Sequence, residues 1–348
     1  MNKRRWIAVG IAAALLVLSV ATSSLGTKNE KVKDAKDTTL NGLEGLMYGS
    51  NELAETVVSK GDDQKRIVEL TVDGTITDTG KSAGIFASNA GYDHQQFLQQ
   101  LRKIQEDDTI KGILLTVNSP GGGVYESAEI AREIAKIQQK KIPLYVSMKN
   151  MAASGGYYIS ASADKIYATN ETITGSIGVI ASNVNYSGLL EKLGVTDQTY
   201  KSGALKDMNS SMRPATETDK QVMQTYINNS YDRFVKIVAN GRKLPEATVR
   251  QLADGRIYDG GQALANGLVD KIGYEDDALK ALKKDQKLTK ATVFKYDVSS
   301  SGFVNTWFGS KLAEMQGLKQ SETTRFLSIV ESIGSPNAPK PLYYYGGE

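Results

Sequence analysis

Two apolar runs of strand length, each closed by a glycine-rich turn and followed by a helical period, constrain this chain more than anything else in it. The first, Gly112-Ile-Leu-Leu-Thr-Val117, breaks at Asn118-Ser-Pro-Gly-Gly-Gly123 and gives way to a stretch with Ile130, Ile134 and Ile137 on one helical stripe. The second, Pro143-Leu-Tyr-Val-Ser-Met148, runs into Met151-Ala-Ala-Ser-Gly-Gly-Tyr-Tyr158. Residues 157–163 then read as a short helix of small residues, and 165–168 as a short strand. Strands this apolar are buried on both faces, and the order strand, helix, strand makes them parallel. The class is therefore α/β, with glycine-rich connections at the ends of two successive strands, where ligands bind in such sheets.

The remaining chain supplies neighbours for that unit. Residues 66–72 alternate and are rich in β-branched side chains, so they predict a strand that ends at Asp73-Gly74. Residues 80–91 read as a loop, and His94 to Glu106 as a helix with Phe97, Leu98, Leu101 and Ile104 on one face. Residues 174–179 form a small-residue strand or turn, and 187–193 a helix. A long amphipathic helix spans 216–240, with Val222, Tyr226, Phe234 and Val238 among its apolar positions, and a strand covers 291–296. The expected organisation is an N-terminal membrane anchor at 1–27, a polar, partly helical linker at 28–63 and the folded domain at 64–285. A C-terminal extension at 286–334 and a proline-rich, flexible tail at 335–348 follow.

The anchor rests on Lys3-Arg4-Arg5 before an apolar run from Trp6 to Val20, which reaches spanning length if counted on to Leu25. Basic residues ahead of the run keep the N-terminus in the cytoplasm and send the rest outward. Ser19-Val20-Ala21 also fits a cleavage site, so a removed signal peptide stands as the alternative. The chain has no cysteine, which rules out a lipid-anchored cysteine and thiolate chemistry. A single histidine argues against a histidine-rich zinc site, and a net charge of +3, mixed in sign along the chain, implies no nucleic-acid partner.

A serine at a strand-to-helix turn with glycines beside it is placed where its hydroxyl is approachable and backbone N–H groups point at a reacting oxygen. Ser154 is thus the candidate nucleophile, with the plainer role of helix N-cap open beside it. A nucleophilic serine needs a base. His94 stands between Asp93 and Gln95 at the polar start of a helix and reads as a solvated residue. Lysine is the other route. An ordinary amine near 10.4 leaves roughly one molecule in 2,500 neutral at pH 7, so it has to be lowered by about three pH units, or ~4 kcal/mol. Burial away from carboxylates supplies that. Many lysines compete for the role, and the residues alone do not choose among them.

Four pieces stand in order: Asn118-Ser-Pro-Gly-Gly-Gly123, Met151-Ala-Ala-Ser-Gly-Gly-Tyr-Tyr158, Thr174-Gly-Ser-Ile-Gly-Val179 and Lys201-Ser-Gly-Ala-Leu-Lys-Asp207. With Gly255-Arg-Ile, Ala263-Leu-Ala-Asn-Gly-Leu-Val-Asp270 and the N-terminal anchor, the chain resembles the signal peptide peptidase A family, in its short, single-domain bacterial form. The resemblance covers about residues 65–275. It implies a ClpP/crotonase-like fold of parallel sheet layers with flanking helices, and a Ser–Lys dyad protease without cofactor, metal or nucleotide. Ser154 matches the family's nucleophile and Lys206 its general base, Lys201 being a decoy in the same element. Many members carry an aromatic residue where this chain has Leu205. Ser176 matches the hydroxyl that orients the lysine, and Gly121 and Gly155 match the oxyanion-hole positions. The resemblance further implies a homo-oligomeric ring in which the dyad is shared between subunits. Its substrates would be cleaved signal peptides and unfolded hydrophobic segments, met outside a cell membrane that the chain crosses once. Two other readings stand beside it: an anchored protein that holds peptides in an inert cleft, and an acyl-CoA-type crotonase. The intact serine, lysine and glycine set counts against the first, and the export signal against the second. The tyrosines 343–345 are either a merely adhesive tail or an extended segment that occupies the cleft as product or inhibitor.

Overall fold

The computed structural model describes residues 53–78, 92–298 and 342–344. In chain order these form β1 (Leu53–Ser59), β2 (Asp62–Asp73), α1 (His94–Glu106), β3 (Ile110–Ser119), β4 (Gly121–Gly123), α2 (Val124–Gln139) and β5 (Leu144–Ala153). Then come α3 (Gly155–Ser160), β6 (Lys165–Ala168), β7 (Ile173–Gly175), α4 (Ser187–Lys192), α5 (Glu217–Arg242) and α6 (Glu246–Leu252). The last are β8 (Ile257–Tyr258), α7 (Gly260–Ala265), β9 (Lys271–Ile272), α8 (Glu275–Asp285), β10 (Ala291–Val298) and β11 (Leu342–Tyr344).

The main sheet runs β1-β10-β2-β3-β5-β6-β9, with β7 paired to the far end of β5 and β8 to β7. Strands β10, β2, β3, β5, β6 and β9 are parallel to their neighbours, as the apolar runs predict. The sheet as a whole is mixed, because β1 pairs antiparallel with β10 and β8 antiparallel with β7. Alternation along each strand feeds two cores. Val68, Leu70 and Val72 of β2 and Ile113, Leu115 and Val117 of β3 join Phe97, Leu101, Ile130, Ile134 and Phe234 on one face. Ile67, Leu114, Tyr145 and Val293 meet Ala278 and Leu282 of α8 on the other. Helix starts are written locally. The Asp93 carboxylate accepts the Gln96 N–H at 2.9 Å to begin α1, and Thr216 and Asp219 form a reciprocal capping box at α5.

The strand ends differ from expectation. Leu53–Ser59, within the stretch read as linker, is an edge strand of the sheet, so the boundary at 64 falls inside the fold. Six of its seven residues are exposed, which is why it reads as polar. The strand predicted at 291–296 is no appendage: it lies between β1 and β2, with Val293 and Phe294 fully buried. Within the tail read as flexible, Leu342–Tyr344 pair antiparallel with β4. Among the described residues no helix is long and apolar enough to cross a membrane, and the segment read as the anchor lies outside them.

Candidate active site

Strand β5 carries the chain to Ala153, where β7 pairs beside it, and the backbone then turns sharply at Ser154. Ser154 adopts φ 54°, ψ −115°, a conformation that costs a serine on the order of 1–3 kcal/mol. Two hydrogen bonds hold it there: its N–H donates to the Gly175 carbonyl and its carbonyl accepts the Tyr158 N–H, both at 2.8 Å. Ser154 holds the N-cap position of α3, but its hydroxyl makes no capping bond to that helix. Ser176 follows Gly175 directly, also at positive φ (47°), with its N–H bonded to the Arg256 carbonyl at 2.8 Å. Strand β7 is thereby fastened next to Ser154, and Thr174 Oγ1 donates to the Ala152 carbonyl at 2.7 Å to close the joint.

The opposite wall is β4. Ile76 clamps it by donating to the Gly121 carbonyl and accepting from the Gly123 N–H, both at 2.8 Å. Alternation along the strand therefore turns the N–H and carbonyl of Gly122 toward β11. Gly121, at φ 100°, approaches so closely that a Cβ there would stand 1.9 Å from the Tyr343 carbonyl oxygen and 2.6 Å from the Gly155 nitrogen. The Tyr343 carbonyl oxygen and the Gly155 nitrogen, of the residue after Ser154, thus both lie against Gly121. The Gly121 N–H itself donates to Ser119 Oγ at 3.1 Å. The Tyr343 ring is fully buried, stacked on Tyr158 at 4.8 Å between centroids and tilted against Phe234 at 4.6 Å. Its hydroxyl donates to the Ser230 carbonyl at 3.0 Å. The seat therefore holds an extended peptide by its backbone and one aromatic side chain in a pocket.

Lys206 lies exposed on a segment that runs out from β7 to α5. Among the described residues no hydrogen bond or ion pair joins it to Ser154. Lys201, by contrast, is committed: its amine donates to Asp207 Oδ1 at 2.6 Å. The same arm leaves Val184, Leu189 and Leu193 about three-fifths exposed (60%, 57% and 66%), and α4 buries no residue. His94 corrects the expectation of a solvated residue. It is 2% exposed, with Nδ1 against the Tyr92 hydroxyl at 2.6 Å and Nε2 against the Glu129 carboxylate at 3.1 Å. Its neighbours in sequence are polar because the α1 start faces solvent, while the ring itself turns toward α2. Sequence reasoning passed over Arg213, whose guanidinium spans Asp207 and Asp219. A lone arginine in a polar stretch carried no signal.

The profile of peptidase family S49 matches residues 136–289, and that of Clp protease matches 81–174, the α/β unit that carries β3, β4, β5 and Ser154. The chain is 57% identical over 347 residues to a protein of Enterococcus faecium named "Putative signal peptide peptidase SppA", covering 100% of both. It is 37% identical over 273 residues to Protease 4 of Haemophilus influenzae, covering 78% of this chain and 42% of that one. A ClpP1 mutant from Listeria monocytogenes superposes with a TM-score of 0.40 at 17% identity, over 61% of this chain and 94% of the other.

Proposed function

The chain belongs to peptidase family S49 as a serine protease of the signal peptide peptidase kind, and on that premise we propose that Ser154 and Lys206 are its catalytic dyad. Ser154 Oγ attacks the peptide carbonyl while Lys206 Nζ takes its proton. The oxyanion is received by the Gly155 N–H and by that of Gly121, shared with Ser119 Oγ. Lys206 returns the proton to the leaving amine, and water hydrolyses the acyl-enzyme with the same amine as base. Ser176 orients the lysine. The observation that carries this reading is the seat itself, where a peptide strand brings its Tyr343 carbonyl against Gly121 and close to the Gly155 nitrogen, next to a strained serine whose hydroxyl makes no capping bond.

Because Lys206 is exposed and separate from Ser154 within one chain, the lysine serves the serine of a neighbouring subunit in a ring. The exposed apolar arm that bears it supports this arrangement. Residues 1–27 anchor the assembly, with the protease domain outside, where remnant signal peptides and other unfolded hydrophobic segments are released. Backbone pairing along β4 suits such substrates, since it reads an extended chain with little regard to sequence. The tail is the first of them. Cleavage after Tyr343 would release residues 344–348.

The test uses the full chain in detergent micelles with a fluorogenic hydrophobic peptide. Ser154→Ala and Lys206→Ala should each abolish turnover, and His94→Ala should retain it. Turnover surviving in Lys206→Ala would remove the dyad. Intact mass of the wild type should be shorter than that of Ser154→Ala by residues 344–348, and equal full-length masses would remove self-cleavage.

A further inference from the structure

Lys206 is followed in sequence by Asp207, a carboxylate that works against a neutral amine close to it. An ionised Asp207 one residue away favours the ammonium form, whereas a general base has to be neutral. Arg213 meets that carboxylate on both oxygens. Its Nε donates to Oδ2 at 3.0 Å, and its Nη2 to Oδ1 at 2.8 Å and to the Asp207 carbonyl at 3.1 Å. Lys201 adds the bond to Oδ1 already described. The bonds from Arg213 and then Lys201 hold the Asp207 carboxyl well below the usual carboxylate range, so it stays an anion whose charge is matched.

The guanidinium has a second hold. Its Nη1 donates to Asp219 Oδ2 at 2.6 Å, and that same oxygen accepts the Thr216 N–H at 2.9 Å at the start of α5. The Asp219 side chain is 2% exposed, and its Oδ1 has no hydrogen-bond partner among the described residues. A buried carboxylate with one orphaned oxygen is an expensive anchor, which points to a use beyond capping a helix. We infer that Arg213 is the positioning residue for the base: it ties the Lys206 segment to the start of α5 and cancels the charge of Asp207, so that the neighbouring amine can stand neutral. This rests on the reading of Lys206 as the base. The charged groups around that segment are Lys201, Asp207 and Arg213 within it and Asp219 from α5. Glu217 and Lys220 on the same end of α5 pair with each other at 2.7 Å, and α4 carries the adjacent, opposite charges of Glu191 and Lys192.

The sign of each substitution follows from that charge balance. With the full chain and a fluorogenic hydrophobic peptide assayed across pH, Arg213→Met should raise the rising limb by about one pH unit. That lowers kcat about tenfold at neutral pH and leaves KM nearly unchanged. Asp207→Asn should move the limb in the opposite direction. Arg213→Lys keeps the charge without the planar fork, so the limb stays near the wild-type position while the plateau falls. Lys201→Met leaves Arg213 in place and should give a smaller upward move, which decides the matter if the other variants fail to fold. A limb that stays put in Arg213→Met and Asp207→Asn overturns the inference even if activity drops, because loss of packing lowers amplitude without moving a titration. Activity kept by Lys206→Ala would instead overturn the reading of the base. Activity lost there with an immobile limb would overturn only the role of Arg213.

Discussion

A methyl group on Gly121 would sit 1.9 Å from the oxygen of a seated peptide carbonyl, at a backbone φ of 100° that side chains rarely adopt. Gly121→Ala should therefore lower kcat/KM by about two orders of magnitude or more, because a misplacement of about an ångström at the reacting carbonyl is already worth ~10²-fold. Steady-state cleavage of the fluorogenic peptide checks this, and near-normal activity would show that substrates do not take the path of β11. The sharp turn at Ser154 was legible at this scale. Ser154 stood out because small residues and glycines bracket it after an apolar run, and the turn at positive φ is what those residues permit. His94 misled because flanking polarity reports the helix face of Asp93 and Gln95, not the direction of the ring between them. Arg213 was silent for a different reason. Its meaning lies in two partners, one before it and one after, and no periodicity marks a bidentate contact.

At the level of elements, helices α1 and α2 are joined through Glu133. Its buried carboxylate accepts Gln105 Nε2 of α1 at 2.9 Å and Lys136 Nζ at 2.8 Å. Burial opposes ionisation, but the bonds from Lys136 and Gln105 outweigh it and bring the carboxyl from its ordinary 4.5 down to about 2. A depressed carboxylate stabilises the fold above its unfolded value, and that contribution fades as pH falls toward the folded one. The thermal midpoint of the wild type should thus drop between about pH 4.5 and 2 more steeply than that of Glu133→Gln. Parallel slopes would mean the bonds carry no net stability. Elements whose two faces are both dry were read well from sequence, β3 and β5 above all, since an unbroken apolar run has few other uses. Strand β1 was missed because an edge strand with wet faces has the composition of a linker. Strand β11 was missed because three residues after a proline-rich stretch have no pattern of their own; they are ordered by the glycine edge they meet.

For the whole molecule, the proposed sharing of Lys206 between subunits makes assembly a condition of activity that mixing can test. Ser154→Ala and Lys206→Ala proteins, each inactive, should recover roughly a quarter of wild-type turnover when mixed equally and allowed to exchange, because random neighbours pair an intact serine with an intact lysine that often. No recovery after demonstrated exchange would mean each chain completes its own site. The α/β class and the doubly covered sheet were readable from residues 112–168, where local pattern and global fold agree. The antiparallel edges were not, since they depend on strands far apart in the chain, such as β1 and β10, finding each other.

On the proposed reading of β4 as the substrate seat, the strand paired with it sets an apparent affinity as well as a shape. A segment on the same polypeptide competes for its groove at an effective concentration on the order of millimolar, however dilute the protein is. Free peptide at micromolar levels then meets a cleft that is mostly taken, and turnover climbs only as peptide accumulates. Deleting residues 342–348 should raise the rate at low peptide and leave the plateau unchanged, while diluting the intact protein should alter neither. On the proposed reading, the enzyme works far below its plateau on sparse, transiently unfolded chains and approaches it only with a backlog.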